Sequence, residues 1–158
     1  KVEMKKTFQS QNIDTPKFNV ISDLSGYRKF KKFNKLPLVL KPTDSSGQNG
    51  VFLIKKEKDL KSKINFIKKI SSDKKIIIEK YHRGYEINVV AVIENSKIEF
   101  LSISHRKTFP NKNFGIAVSH IYPTNLTKEE LKKVKKISMI RLTGSFFTIA
   151  STSSGFER

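Results

Sequence analysis

The stretch VLKPTDSSGQNGV, residues 39–51, places a lysine at the end of an apolar strand and follows it with a loop of small residues. Pro42 ends the strand, because proline cannot donate to a sheet ladder. Gly47 and Gly50 permit positive φ angles and close approach of another molecule to the backbone. The stretch therefore predicts a strand, a flexible loop and a second strand, arranged as a hairpin with a long tip.

The same loop has the chemistry of an anion site. Successive backbone N–H groups in such a loop form a nest for phosphate oxygens, and Ser45 and Ser46 add hydroxyl donors. It is not a Walker A loop, because Lys41 precedes the glycines instead of following them. The residues alone are compatible with two interpretations, a phosphate-binding loop and an ordinary hairpin tip.

A second stretch, IIIEKYHRGYEINV, residues 76–89, carries two carboxylates on either side of a turn at Gly84. Glu79 and Glu86 each stand at the edge of an apolar strand. A carboxylate there can accept hydrogen bonds from an adenine amino group or from ribose hydroxyls, and the strand backbone can meet a purine edge. The alternative is a pair of solvated acids at strand ends.

The pattern of apolar residues predicts an α+β fold with antiparallel sheets, because hairpins are followed by helices without strict βαβ alternation. We predict two lobes that meet near residue 80, with domains over residues 1–80 and 81–158. The predicted helices cover residues 2–11, a short segment capped by Ser22, 59–70 and 127–142, and the predicted strands cover 36–42, 51–54, 76–80, 86–93, 97–104, 114–122 and 145–150.

Charge is the outstanding feature of the composition. The 158 residues carry 32 Lys and Arg against 14 Asp and Glu, a net charge of +18. Such a balance raises a second function class, a basic module that binds nucleic acid or another polyanion. Only five of the cations are arginine, although sequence-specific nucleic-acid recognition depends on arginine forks. We therefore expect most lysines to be solvated, and nucleic acid is not expected as the main partner.

Other features exclude whole classes of protein. There is no cysteine, which excludes disulfides and thiolate chemistry and is compatible with the reducing cytoplasm that we expect. No apolar run approaches the roughly 18 residues of a membrane span, and residues 1–11 lack the apolar core of a signal peptide. The three histidines, His82, His105 and His120, have no metal-ligand spacing, so no zinc site is expected.

The two stretches, in this order and with one helix between them, resemble the ATP-grasp superfamily, most closely its carbamoyl-phosphate-synthase-like and biotin-carboxylase-like branch. Residues 36–42 resemble the family's P-x-V-x-K-P strand, and residues 45–51 its S-S-G-G-x-G-V loop. Residues 78–89 resemble its E-x-Y-x-x-G-x-E-x-x-V segment. Residues 104–109 and 120–131 are similar to two later segments, so the resemblance extends across most of the chain.

The resemblance implies an ATP site in a cleft between the two predicted lobes. Lys41, and Lys1 as the family's first phosphate lysine, would bind ATP phosphates, and Lys41 could also reach the adenine edge. Glu79 would accept from the adenine amino group, and Glu86 would hold the ribose. Further implied contacts come from the backbone of Lys80, Tyr81 and His82, from a lid over residues 43–50 with Ser45, Ser46, Gly47 and Gly50, and from Arg106 as a catalytic group on phosphate or substrate. The implied reaction makes an acyl phosphate from ATP and a small carboxylate, releases ADP, and continues with attack by a nucleophile.

The metal site departs from the family. Members hold Mg²⁺ with acids near the end of the domain, but the glutamate position falls on Ile149, and Glu157 is the only acid of residues 151–158. No metal ligand is recognised. We therefore expect either a piece of a larger ligase, incomplete at both ends, or a decayed, nucleotide-binding pseudoenzyme. We favour the piece and expect this chain alone to be inert.

Overall fold

A computed structural model describes residues 1–95, 97–109 and 116–143 and divides the chain into two compact units. Unit 1 comprises residues 1–3 and 15–81 together with Phe109 and Ile116; unit 2 comprises residues 4–14 and 82–108 and the chain from Ala117. The helices are α1 (Val2–Ser10), α2 (Leu24–Lys31), α3 (Leu60–Ile70) and α4 (Lys128–Thr143). The strands are β1 (Phe18–Ile21), β2 (Leu38–Pro42), β3 (Phe52–Ile54), β4 (Ile76–Lys80), β5 (Glu86–Glu94), β6 (Lys97–Thr108) and β7 (Ala117–Ile121).

Unit 1 is built on a four-stranded antiparallel sheet in the order β1-β4-β2-β3. Its core joins one face of this sheet to α2 and α3. Leu60, Ile64 and Ile67 of α3 are buried, and their spacing of three and four residues puts them on one side of a helix. They belong to one buried cluster with Leu40 and Ile78 of the sheet. The predicted hairpin of β2 and β3 is confirmed.

The opposite face of the sheet carries the residues singled out by sequence. Side chains alternate between the two faces of a strand, so Val39 and Lys41 of β2 point away from the α2 and α3 layer. Glu79 and Ile77 of β4 do the same, because Val39 pairs with Glu79 and Lys41 with Ile77. Lys41 and Glu79 are therefore diagonal neighbours on one face of the sheet.

Unit 2 contains a three-stranded antiparallel sheet in the order β5-β6-β7 and the helix α4. Its buried cluster is small and joins the two. The members of the cluster are Ile87, Ile103, Leu126 and Val134. A capping box begins α4: the Glu130 N–H donates to the Thr127 hydroxyl at 3.2 Å, and the Thr127 N–H donates to the Glu130 carboxylate at 2.9 Å.

Two features near residue 20 differ from expectation. Phe18–Ile21 forms the strand β1, where no strand was predicted. The cap of α2 is Asp23, not Ser22: its carboxylate accepts from the N–H groups of Ser25 and Gly26 at 2.8 and 3.0 Å. A carboxylate at this position satisfies two N–H groups that the first turn of a helix leaves unpaired.

The Asp23 cap supplies a stability prediction with a matched control. Asp23→Ala is expected to lower the free energy of unfolding by about 1 kcal/mol, the usual value of a lost N-cap. Ser22→Ala changes the neighbouring residue, which makes no cap, and is expected to stay within about 0.5 kcal/mol. Urea denaturation measures both. Equal losses in the two variants would show that the cap contributes nothing specific.

The remaining elements agree with expectation to within a few residues, apart from β6, which runs four residues beyond the predicted end at 104. The α+β fold with antiparallel sheets is confirmed. Asn12 ends the turn after α1 with a φ of 55°, as a left-handed stop. The strand predicted over 145–150 lies outside the described residues, and the two-lobe division at residue 80 stays a prediction. In the described part, no helix has the length and apolar content needed to cross a bilayer.

Candidate nucleotide site

The centre of the site in unit 1 is an ion pair between two of the predicted residues. Lys41 Nζ lies 2.5 Å from Glu79 Oε1. The two side chains are 21% and 10% exposed, so both are largely shielded from water. Charge-assisted hydrogen bonds of this kind are short and strong, and they are stronger where water is excluded. The structure thus brings together the predicted phosphate lysine and the predicted adenine acceptor.

Lys1 lies at the start of the glycine loop. Its Nζ donates to the carbonyl of Pro42 at 3.1 Å and to the carbonyl of Ser45. Burial lowers the pKa of the Lys1 ammonium, the charge of Lys41 lowers it further, and Asp44 acts in the opposite direction. Two ammonium groups therefore stand beside one loop, an arrangement that favours an anion between them.

Positive φ angles shape the loop itself. Gly47, Gln48 and Gly50 have φ values of 62°, 63° and 76°. A Cβ at Gly47 would meet no atom within 4 Å, whereas a Cβ at Gly50 would come within 2.6 Å of Ile70 Cδ1 and 3.2 Å of the Pro42 ring. The conformational prediction for both glycines is confirmed. Gly50 is packed against the protein, and Gly47 faces open space.

The stem of the loop is held by a polar cluster that the sequence did not reveal. The Ser72 N–H donates to Asp44 at 2.7 Å. Asp73 accepts from the Thr43 hydroxyl at 2.7 Å and from the Lys75 N–H at 2.9 Å. The Lys75 N–H and the Thr43 hydroxyl hold the pKa of the Asp73 carboxyl below its usual value. This polar cluster, called the clamp below, holds Thr43 and Asp44. Residues 45–49 are the part of the predicted lid between the clamp and the packed Gly50.

Backbone hydrogen bonds narrow the predicted contribution of residues 80–82. The Lys80 N–H donates to the Lys17 carbonyl at 2.9 Å, and the Tyr81 N–H donates to the Pro37 carbonyl at 3.4 Å. These two donors are used inside unit 1. The backbone groups that we continue to propose for purine recognition are therefore the carbonyls of Lys80 and Tyr81 and the backbone of His82.

Unit 2 also pairs two predicted site residues. Glu86 of β5 and Arg106 of β6 are direct partners in the antiparallel register, and the guanidinium donates to the carboxylate. Arg106 is only 9% exposed and Glu86 20%. An arginine held in this way is positioned by its partner, because its planar fork matches a carboxylate.

A second cluster in unit 2 was also missed by sequence reasoning. Tyr85 donates to Glu130 of the capping box, and its ring lies 5.0 Å from the ring of His105. His105 Nδ1 is 2.7 Å from the Thr124 hydroxyl. These contacts tie β5, β6 and the start of α4 together. His120 lies 3.5 Å from the Ser104 hydroxyl.

The described residues do not fit a metal ion. Among them, no group of three or more His, Asp or Glu residues could hold one. Ile149 and Glu157, on which the metal prediction turned, lie outside the described part of the chain.

Comparison with known proteins assigns the family. Residues 34–145 match the ATP-grasp domain. A D-alanine–D-alanine ligase of Wolbachia pipientis is 31% identical over 144 residues, 87% of this chain and 44% of that protein. The large chain of an arginine-specific carbamoyl phosphate synthase from Neurospora crassa is 23% identical over 87% of this chain and 12% of its own length. The chain thus spans less than half of either relative.

Solved structures agree in fold. An L-amino acid ligase from Bacillus licheniformis superimposes with a TM-score of 0.70 at 20% identity, over 91% of this chain and 32% of that one. A D-Ala:D-Ser ligase from Enterococcus faecalis gives 0.74 at 14% identity, over 91% and 44%. The family match covers both predicted stretches, the loop after Lys41 and the segment from Glu79 to Glu86, and the chain belongs to the ATP-grasp family.

Proposed function

We propose that this chain is the ATP-binding part of an ADP-forming ligase that activates a small carboxylate as an acyl phosphate. The observation that carries the proposal is the pair of Lys41 and Glu79 beside a glycine loop, in a chain of the ATP-grasp family. A cation and the N–H groups of a glycine loop suit phosphate oxygens, and a carboxylate, which only accepts hydrogen bonds, suits the adenine amino group.

The roles of the residues follow their chemistry. In unit 1, Lys1 and Lys41 would neutralise phosphate oxygens, and Glu79 would accept from the adenine amino group. The loop would bind phosphate through N–H groups other than those of Asn49 and Val51, which donate to the carbonyls of Ser46 and Gln48 at 3.2 Å. In unit 2, Glu86 would bind the ribose hydroxyls, and Arg106 would stabilise charge on the transferring phosphoryl group. Phosphoryl transfer depends mainly on positioning and on charge neutralisation of this kind.

The proposed reaction has two steps. A carboxylate oxygen of the substrate attacks the γ-phosphorus, the bond to the β,γ-bridging oxygen breaks, and ADP leaves. A nucleophile then attacks the acyl carbon and displaces inorganic phosphate. The carbamoyl-phosphate-synthase-like assignment is part of the proposal, and the named relatives include both a carbamoyl phosphate synthase and D-alanine–D-alanine ligases.

Calorimetric titration with ATP and with GTP tests the function. We expect ATP to bind and to be preferred over GTP, with the preference lost in Glu79→Leu, which has no acceptor. Glu79→Gln retains a carbonyl acceptor and should keep part of the preference. No binding of ATP to the wild-type chain, or the same ATP-to-GTP ratio in Glu79→Leu and wild type, would contradict the proposal.

One surface feature favours a second candidate function, the binding of single-stranded nucleic acid. Residues 28–35 hold five cations and no acid, and Phe33 among them is 86% exposed. Lysines beside an exposed aromatic ring bind phosphates and stack on bases. Such binding would weaken steeply between 50 and 200 mM salt and would be lost in Phe33→Ala, whereas ATP binding by the proposed site would be unchanged in that variant.

A further inference from the structure

We propose that the Lys41–Glu79 ion pair is exchanged when a nucleotide binds, so that Glu79 selects adenine only after phosphates have taken Lys41. This inference rests on the proposed function and deepens it. It assigns adenine selectivity to the pair rather than to Glu79 alone. Binding of the base and binding of the phosphates then depend on each other through one contact.

The exchange follows because Lys41 and Glu79 already pair with each other. Lys41 Nζ and Glu79 Oε1 are 2.5 Å apart, so the charge of each is met by the other before any ligand arrives. A triphosphate brings several negative charges that compete with Glu79 for the ammonium. Two like charges 4 Å apart repel by about 4 kcal/mol at the effective dielectric constant of a protein surface. A phosphate bound at Lys41 therefore weakens the hold of Glu79 on the ammonium, because the two anions repel each other and compete for one cation.

The structure also indicates which partner moves. Glu79 is the less exposed of the two and lies in β4, with β1 and β2 hydrogen-bonded on either side. Lys41 is twice as exposed and carries its ammonium on a flexible four-carbon stem. Its displacement toward the loop brings it to the side where Lys1 already contacts the carbonyls of Pro42 and Ser45.

Selectivity arises because a carboxylate can only accept hydrogen bonds. Adenine presents an amino donor at its six-position, where guanine presents a carbonyl oxygen, a second acceptor. While Lys41 stays paired with Glu79, the ammonium neutralises the carboxylate, and adenine gains little affinity over guanine. Once phosphates draw Lys41 away, adenine can supply the missing donor and guanine cannot.

The test uses the two halves of ATP as separate ligands. Adenosine, guanosine and inorganic tripolyphosphate are titrated calorimetrically, each nucleoside with and without saturating tripolyphosphate. We expect tripolyphosphate to raise the affinity for adenosine at least fivefold, the lower end of ordinary coupling between sites, and to leave guanosine unchanged. In Glu79→Gln the coupling should disappear, and tripolyphosphate alone should bind roughly fivefold more tightly, because no ion pair has to open.

A second ion pair of unit 1 provides the matched control. Lys31 and Glu57 form an exposed pair, and Glu57→Gln changes the net charge by the same amount as Glu79→Gln. This control should leave tripolyphosphate affinity unchanged. A gain of the same size in Glu57→Gln, or weaker tripolyphosphate binding in Glu79→Gln, would overturn the exchange.

The outcomes distinguish a failure of the proposed ion-pair exchange from a failure of the proposed nucleotide function. If ATP binds to the wild-type chain but adenosine and tripolyphosphate bind independently, the exchange is wrong and the nucleotide function stands. If ATP itself does not bind, both are wrong. Circular dichroism of each variant checks that the fold is retained, so that a change in affinity is attributable to the pair.

Discussion

Lys41→Met is expected to weaken ATP binding by about 10- to 100-fold, or about 1.5–3 kcal/mol for a charge-assisted contact. Methionine keeps an unbranched apolar stem but cannot donate a hydrogen bond or neutralise a phosphate. The loss should also be seen for tripolyphosphate, because the ammonium is assigned to the phosphates. Adenosine should bind at least as tightly as to the wild-type chain, because Lys41 no longer occupies Glu79. Calorimetric titration at pH 7 measures all three ligands.

Lys41→Met also removes the cation that pairs with the shielded Glu79 carboxylate. The free energy of unfolding of the variant must therefore be measured as well. Removing one partner of a buried ion pair destabilises a protein more than replacing both partners. Lys41→Met/Glu79→Gln therefore serves as the better-folded companion, and it should show the same loss for tripolyphosphate. Lys61→Met, which changes an exposed lysine of α3, is the charge control. ATP affinity of Lys41→Met equal to that of Lys61→Met would remove Lys41 from the site.

Much of the fold could be predicted because the apolar pattern and the punctuating residues agree. Pro42 and the two glycines mark the ends of β2 and β3, and the stripe of Leu60, Ile64 and Ile67 marks α3. The strand β1 was missed because its four residues are too few to establish an alternating pattern, and its existence depends on pairing with β4. Non-local pairing is not visible in a segment of that length.

The two halves of the candidate site differed in how far sequence could predict them. Lys41 and Glu79 stand at fixed positions in paired strands, so their encounter follows from the register of β2 and β4. The encounter of Glu86 with Arg106 depends on a register shift between Val92 and Ile93. Without that shift Glu86 would pair with His105 and Arg106 would point to the other face of the sheet. Such bulges carry no dependable sequence signal.

The clamp on the loop stem was missed for a related reason. Asp44 and Asp73 are separated by 29 positions, and each is an ordinary polar residue of a turn. Only the fold brings the stem of the loop beside the turn before β4, where Ser72 and Thr43 complete the cluster. The clamp holds Thr43 and Asp44, so the lid that we propose would consist of the chain after them.

Substitution of the two loop glycines is expected to separate stability from binding. Gly50→Ala should lower the free energy of unfolding by about 2–3 kcal/mol, through the left-handed backbone and through a methyl group forced against the Pro42 ring and Ile70. Gly47→Ala adopts a similar φ without any neighbouring atom, so it should lose only about 1 kcal/mol. Urea denaturation measures the difference between the two variants.

The clash at Gly50 can be relieved independently. Ile70→Val removes the Cδ1 methyl that lies 2.6 Å from the added Cβ. The double variant Gly50→Ala/Ile70→Val should therefore be more stable than the sum of the two single changes, by about 0.5–1 kcal/mol, as expected for residues in contact. Strict additivity would show that the backbone conformation alone accounts for the loss.

ATP affinity should be affected in the opposite order, with the larger loss in the Gly47 variant. A methyl group at Gly47 would stand in open space, with no atom of the described chain within 4 Å of it, on the loop that the proposed phosphates would approach. Gly47→Ala is therefore expected to weaken ATP binding about tenfold while the chain stays folded, in line with the loss of a well-placed contact. Gly50→Ala/Ile70→Val should bind more tightly than Gly47→Ala. Wild-type ATP affinity in Gly47→Ala would mean that the loop does not contact the nucleotide at that residue, whatever the roles of Lys41 and Glu79.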